Sequence, residues 1–141
     1  MKGIRIATAI TATTLVLGGA AYAAHAAVSA QDPVTGHSWH LVVPGVDSKI
    51  TKDAKFTIKK DGTFEGEDAC NHVFGKAKVA DKTITTSNIA TSQAACVDDK
   101  VNKVADVYHS IFEKPAKFEY SDKKLTLTTK DGAKYTAVRT D

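Results

Sequence analysis

Arginine is nearly absent from this sequence: after Arg5 only Arg139 remains. The other basic residues are lysines interleaved with Asp and Glu, so there is no concentrated positive patch of the kind a polyanion-binding surface needs. A nucleic-acid partner is therefore not expected. Catalytic signatures are missing as well. There is no glycine-rich phosphate loop, no G-x-S-x-G elbow and no H-E-x-x-H helix. Cysteine is scarce, with Cys70 and Cys96 the only two, and neither lies near the end of the N-terminal apolar run, so a lipid-anchored lipoprotein is not expected. No long repeat and no linker-like stretch divides the chain.

The first thirty residues differ from the rest. Lys2 and Arg5 form a short basic start, followed by an uncharged run from Ile6 to Ala24 rich in Ala, Thr, Leu and Val. Small-x-small patterns close it at Ala21-Tyr22-Ala23, Ala24-His25-Ala26 and Val28-Ser29-Ala30. Basic start, apolar centre and small-x-small exit are the parts of a secretory signal peptide. Residues 1–30 are therefore read as a cleaved signal, with the cut after Ala30 and Ala26 as the second site. An uncleaved anchor is the alternative, but spanning a bilayer takes roughly 18–20 apolar residues, and this run contains several Thr. The expected location is secreted or periplasmic, with no stable membrane insertion after cleavage.

Residues 31–141 suffice for one domain with one modest core. They hold 17 basic and 16 acidic residues, a net charge of +1. In an exported domain an even cysteine count reads as a disulfide, here Cys70 to Cys96. A cross-link closing a loop of about 25 residues contributes roughly 3–4 kcal/mol in the chain-entropy model, against a total stability of about 5–15 kcal/mol.

Periodicity supplies the elements. Trp39, Leu41 and Val43 alternate onto one face of a first strand, which Pro44-Gly45 ends. A second strand covers Lys55 to Lys60, and Asp61-Gly62 predicts a type I′ hairpin into Thr63–Glu67. Gly66 marks a bulge or a close backbone approach. Another strand runs from Val73 to Val79, and a turn at Asp81-Lys82 leads to a Thr-rich strand or strand pair over residues 83–90. The period then changes: Val97, Val101, Val104, Tyr108, Ile111 and Phe112 mark one face of a helix, with Asp98 and Asp99 at its positive dipole end and Pro115 as its stop. Three further β segments follow around Phe118 and Tyr120, Leu125 and Leu127, and Tyr135 to Val138. The expected fold is α+β but mostly β: a curled antiparallel sheet or small barrel of about eight strands with one packed helix. The aromatics Trp39, Phe56, Phe64, Phe74, Phe112, Phe118, Tyr120 and Tyr135 are expected in the core.

Three constellations deserve a chemical reading. Cys70 and His72 lie two apart, on one face of a strand, the arrangement of an activated thiol. Against it, such a thiol must escape pairing with Cys96; free buried thiols are the third possibility. A zinc site needs three or four ligands, but His37 and His40, three apart on a strand, face opposite ways, and His109 sits beside the apolar stripe, where solvation is expected. Asp61, Asp81, Asp122 and Asp131 all fall at turns, which turn chemistry explains. No metal, cofactor or catalytic residue is expected.

One motif carries a family resemblance. Gly66, then Cys70-Asn71, then Gly75 are followed after the Thr-rich strand by Ile89-Ala90-Thr91 and Ala95-Cys96. An opening Trp39-x-Leu41 and a closing Leu125-x-Leu127 accompany them. Together these resemble the META domain family, which includes HslJ-like heat-shock proteins of the bacterial envelope, over nearly all of residues 36–140. Two departures are visible. Family members often carry Thr-x-Met-Ala-Cys, whereas residues 91–96 have Ala in place of Met and one extra residue. The Glu common early in the helix is replaced by Asp98 and Asp99.

The resemblance implies a small β-rich domain with a packed helix over residues 31–141, an envelope or secreted location, a link to stress tolerance and no catalytic residues. It also implies a structural role for the Cys-Asn motif, since Asn readily bonds nearby backbone. The expectation is a monomeric, non-enzymatic module whose partner is a protein or another envelope component. The alternative is a small apolar ligand held in the mouth of the barrel.

Overall fold

The computed structural model describes residues 32–141. The segment read as a signal peptide lies outside them. Eight strands and two helices follow one another as β1 (Ser38–Val42), α1 (Ser48–Thr51), β2 (Ala54–Ile58), β3 (Thr63–Asp68), β4 (His72–Ala80), β5 (Thr83–Thr91), α2 (Asp99–Phe112), β6 (Ala116–Ser121), β7 (Lys124–Thr128) and β8 (Lys134–Arg139). Each strand pairs antiparallel with the next, and β8 returns to β1, so the sheet closes into a barrel. Trp39 stands opposite Phe56 on one side, and Leu41 opposite Ala137 on the other. The mostly β, eight-stranded barrel with a packed helix agrees with the periodicity.

Alternation fills the interior. Trp39, Leu41, Phe56, Ile58, Phe64, Ile84, Phe118, Leu125, Leu127 and Ala137 are all buried in one cluster. The Trp39 indole satisfies its N–H on the Val34 carbonyl at 3.1 Å, which pins the chain entering β1. From the other side, α2 inserts Val104, Tyr108, Ile111 and Phe112. Phe112 meets Phe56 and Phe64 with ring centroids 4.9 and 5.0 Å apart, so the helix plugs the barrel rather than resting on its wall.

The turns divide differently from expectation. Asp61-Gly62 is not a two-residue type I′ turn. Gly62 N–H donates to the Lys59 carbonyl at 2.9 Å, Lys59 N–H donates to the Thr63 carbonyl at 2.8 Å, and only the glycine has positive φ. This is a three-residue loop closed by a left-handed glycine. Lys130-Asp131-Gly132 repeats it, with Gly132 N–H on Thr129 at 2.9 Å. The paired positive φ values of a type I′ turn occur instead at Asp81-Lys82 (52° and 57°) and Asp122-Lys123 (52° and 63°). Loop length, set by the register of the flanking strands, decided the turn type. Glycine alone did not.

Other expectations are corrected. The helix begins at Asp99, not Val97. Asp98 caps it, its carboxylate accepting from Lys100 N–H at 2.8 Å, and Val97 is 95% exposed. Of the two alternatives for the Thr-rich segment, the single strand holds, as β5. Phe74 was expected in the core but is 48% exposed, because β4 buries Val73 and the alternation turns its neighbour outward. Tyr120 is 40% exposed and covers the edge of Trp39, ring centroids 6.3 Å apart. The one-turn helix α1 was not expected; its cap is Asp47, which accepts from Lys49 N–H at 2.8 Å.

Candidate functional site

The family-like motif residues gather where the β3–β4 turn meets the loop leading into α2. At the turn, Asp68 N–H donates to the Asn71 carbonyl at 3.0 Å. Ala69 takes φ 84°, a conformation alanine rarely adopts. The Asp68 carboxylate holds it there: Oδ1 accepts from Cys70 N–H at 2.8 Å and Asn71 N–H at 2.6 Å. Asp68 is nearly fully buried, and its second oxygen, Oδ2, meets His109 Nε2 of α2 at 2.7 Å. Both oxygens of this buried carboxylate are thus engaged by the protein, two bonds reaching Oδ1 and one Oδ2.

Cys70 and Cys96 are joined as a disulfide, so among the described residues no free thiol exists. Beside it, the Asn71 amide clasps the loop. Its Oδ1 accepts from Ala94 N–H at 2.8 Å and from the Ser92 hydroxyl at 3.0 Å, and its Nδ2 donates to the Ala94 carbonyl at 3.1 Å. One side chain thus imitates a strand pairing for a segment with no regular structure. Asn102 continues the tie, donating to the Cys96 carbonyl at 2.9 Å.

The two motif glycines have separate reasons. A Cβ on Gly66 would fall 2.0 Å from the Lys55 carbonyl oxygen and 2.5 Å from the Tyr108 hydroxyl. That space is needed because Tyr108 donates to the same Lys55 carbonyl at 3.0 Å. Gly66 is therefore a close-approach position. The bulge lies on β5 opposite Gly75, where Asn88 and Ile89 face that one residue and the β4–β5 register shifts between Phe74 and Lys76. A Cβ there would meet Asn88 and Ser87 carbonyls and Ile89 Cδ1, each at 2.9 Å, and Asn88 takes φ 54°. Burial, and next the negative charges of Asp68 and Glu67, raise the Tyr108 phenol well above its ordinary range.

The remaining candidates are dispersed. His109, expected in solvent, is instead held by Asp68; its position one residue after the buried Tyr108 carried no sign of this. His37 Nδ1 lies 3.4 Å from the Asp141 carboxylate, and the His72 ring lies against Phe74, centroids 6.0 Å apart. Among the described residues no group of three His, Cys, Asp or Glu side chains converges to hold a metal. Ile89, Thr91 and Ala95 all lie on the stretch from β5 into the clasped loop, Ile89 being one-third exposed. Between α2 and β5 lies a cleft of about 280 Å³ lined by Val73, Ile89, Phe112, His109 and Glu113 among others. No helix among the described residues is long and apolar enough to cross a membrane.

The class these features define is an eight-stranded antiparallel barrel plugged by one helix and clasped by a Cys-Asn turn. The META domain model matches residues 32–141, and the chain belongs to that family. No curated protein matches the sequence significantly. Solved structures share the fold. An NMR structure is 20% identical with a TM-score of 0.60, covering 74% of this chain and 90% of its own. A second, of a protein from Burkholderia xenovorans, is 15% identical with a TM-score of 0.61, covering 82% and 87%.

Proposed function

We propose that this chain is an exported, non-enzymatic META/HslJ-like domain that acts in the envelope or outside the cell as a protein-interaction module contributing to stress tolerance. One observation carries the reading: the polar groups of the Cys-Asn motif are all engaged in internal structure. Asp68 and Asn71 hold backbone, and Cys70 is bonded to Cys96. The barrel interior is filled by side chains, which counts against a small apolar ligand in its mouth. Recognition is then left to the outer surface, where a protein partner fits better than a small molecule. The N-terminal basic, apolar and small-x-small sequence supports export.

The test is photo-crosslinking in the native host, with a photoreactive residue at exposed Phe74, combined with the mass of the recovered chain. The expected result is a discrete crosslinked protein, a chain beginning at Gln31 and a deletion strain with raised sensitivity to envelope stress. Full-length chain retained in the cytoplasm, with no crosslink from Phe74 or other exposed positions, overturns the reading.

A further inference from the structure

The barrel has one incompletely sewn seam. β5 is nine residues long and pairs with β4 along most of its length, yet β6 pairs with it only at Thr83 and Ile84. Where β6 would continue, the C-terminal end of α2 stands instead, tied by the Thr86 hydroxyl donating to the Phe112 carbonyl. Beyond that tie, the edge of residues 87–91 facing away from β4 has no strand partner among the described residues. An edge strand presents backbone N–H and C=O groups that another extended chain can satisfy, and proteins usually block this with lysines, prolines or bulges. Here there is a bulge at Asn88 but no charged residue and no proline anywhere between Lys82 and Asp98, in a chain that is 25% charged.

The cleft of about 280 Å³ lies along this same edge. Val73 and Phe112 line it though nearly fully buried, Ile89 is partly exposed at it, and Thr86, Ser87 and Asn88 add polar lining, giving a partly apolar recess below the volumes of roughly 300–1,000 Å³ usual for whole small-molecule sites. It is suited to receiving a side chain. Its charged boundary is the Glu113 carboxylate, while His109 Nε2 is already committed to Asp68.

We propose that the open edge of β5 docks an extended peptide segment of a partner protein by strand addition, an apolar side chain entering the cleft and a basic residue lying beside Glu113. Backbone pairing supplies affinity and the recess supplies selectivity, as in other strand-addition interfaces. A second copy of this chain is a poorer occupant, because its own β5 carries no basic residue to meet Glu113. The proposal rests on the interaction-module reading above and names its site and ligand class.

The test pans a displayed library of random nonapeptides against the protein purified from its own cells. Enriched sequences are expected to alternate apolar residues and to carry a Lys or Arg. Amide shifts on binding should map to residues 87–91. Ile89→Lys, which places a charge on the edge, should weaken the selected peptide at least tenfold, as should N-methylation of alternate peptide amides, which removes donors and keeps side chains. Glu113→Gln should weaken it several-fold. Absence of enrichment, equal binding of the N-methylated peptide, or self-association abolished by Ile89→Lys each overturn the proposal. If the photo-crosslinked partner is captured undiminished by the folded Ile89→Lys protein, the edge is not the site while the interaction reading survives. If no partner crosslinks at all, that broader reading fails instead.

Discussion

His109 Nε2 and Asp68 Oδ2 stand 2.7 Å apart, joining α2 to the β3–β4 turn across 41 residues of sequence. The same carboxylate that receives the imidazole also fixes the left-handed Ala69 and the backbone of Cys70 and Asn71. One buried side chain therefore ties together the helix that plugs the barrel and the turn that carries the disulfide.

Asp68→Ala is expected to destabilise the protein by about 3 kcal/mol, because it leaves two backbone donors unpaired in a part-buried turn and removes the His109 contact. His109→Ala removes one bond on the partly exposed side and should cost about 1 kcal/mol. Urea unfolding of both variants and of the double variant checks this. The double should fall short of the sum, since both remove the same contact. A loss below about 0.5 kcal/mol for Asp68→Ala, within the range of an ordinary surface change, would show that the turn forms without the carboxylate.

Gly66→Ala should cost at least about 2–3 kcal/mol, an overpacking penalty. Three neighbours obstruct the new methyl: the Lys55 carbonyl oxygen, the Tyr108 hydroxyl and the Phe56 Cα. Removing the hydroxyl in a Gly66→Ala, Tyr108→Phe double variant should therefore not restore stability, because the backbone clash persists. Recovery to the level of Tyr108→Phe alone, measured by thermal melting, would place the conflict at the side chain.

Alkaline pH should destabilise the fold through Tyr108. Its phenol is raised in the folded protein by burial and by the neighbouring carboxylates of Asp68 and Glu67. The unfolded chain ionises near the ordinary tyrosine value of about 10. Below that value both states keep the proton and this residue adds no pH dependence. Above it the unfolded state binds fewer protons, so stability falls as pH rises. Denaturant midpoints taken from pH 8 upward should decline beyond about 10, and Tyr108→Phe should flatten the decline. An unchanged profile in the variant would assign it to other groups.

Reduction of the Cys70–Cys96 bond should lower stability by roughly 3–4 kcal/mol, as expected for a loop of this length. The barrel strands do not depend on the bond for their pairing, so the reduced protein should stay folded. Amide exchange should accelerate first over residues 92–98. Asn71 and Asn102 still hold the segment there, and adding Asn71→Ala to the reduced protein should release it further. Uniform acceleration across β1 and β8 instead would mean that the bond supports the whole barrel.

Much of the architecture was legible because its signals are local. Alternation at Trp39, Leu41 and Val43, the change of period before Tyr108, and Pro115 after the helix each report on backbone geometry within a few residues. Gly66 could be marked as a close approach for the same reason, but not for what approaches it, since the Tyr108 hydroxyl arrives from an element 42 positions further on. The turn types were misread at Asp61-Gly62 because the register of two strands, rather than the dipeptide, sets loop length. Phe74 was misplaced because aromatic character says nothing about which side of a strand faces inward. Its buried neighbour Val73 decides that.

The amino-acid sequence by itself determined the strand count, the single long helix, the cysteine pair and the motif that identifies the META family. These follow from periodicity and from residue spacing, which survive without knowledge of contacts. Only the tertiary structure decided that β8 closes on β1, that Asp68 receives His109, and that one edge of the second half of β5 lacks a strand partner beside α2. Each of these is a meeting of segments far apart in the chain, fixed by which surfaces can be buried together, and no local pattern encodes such a meeting.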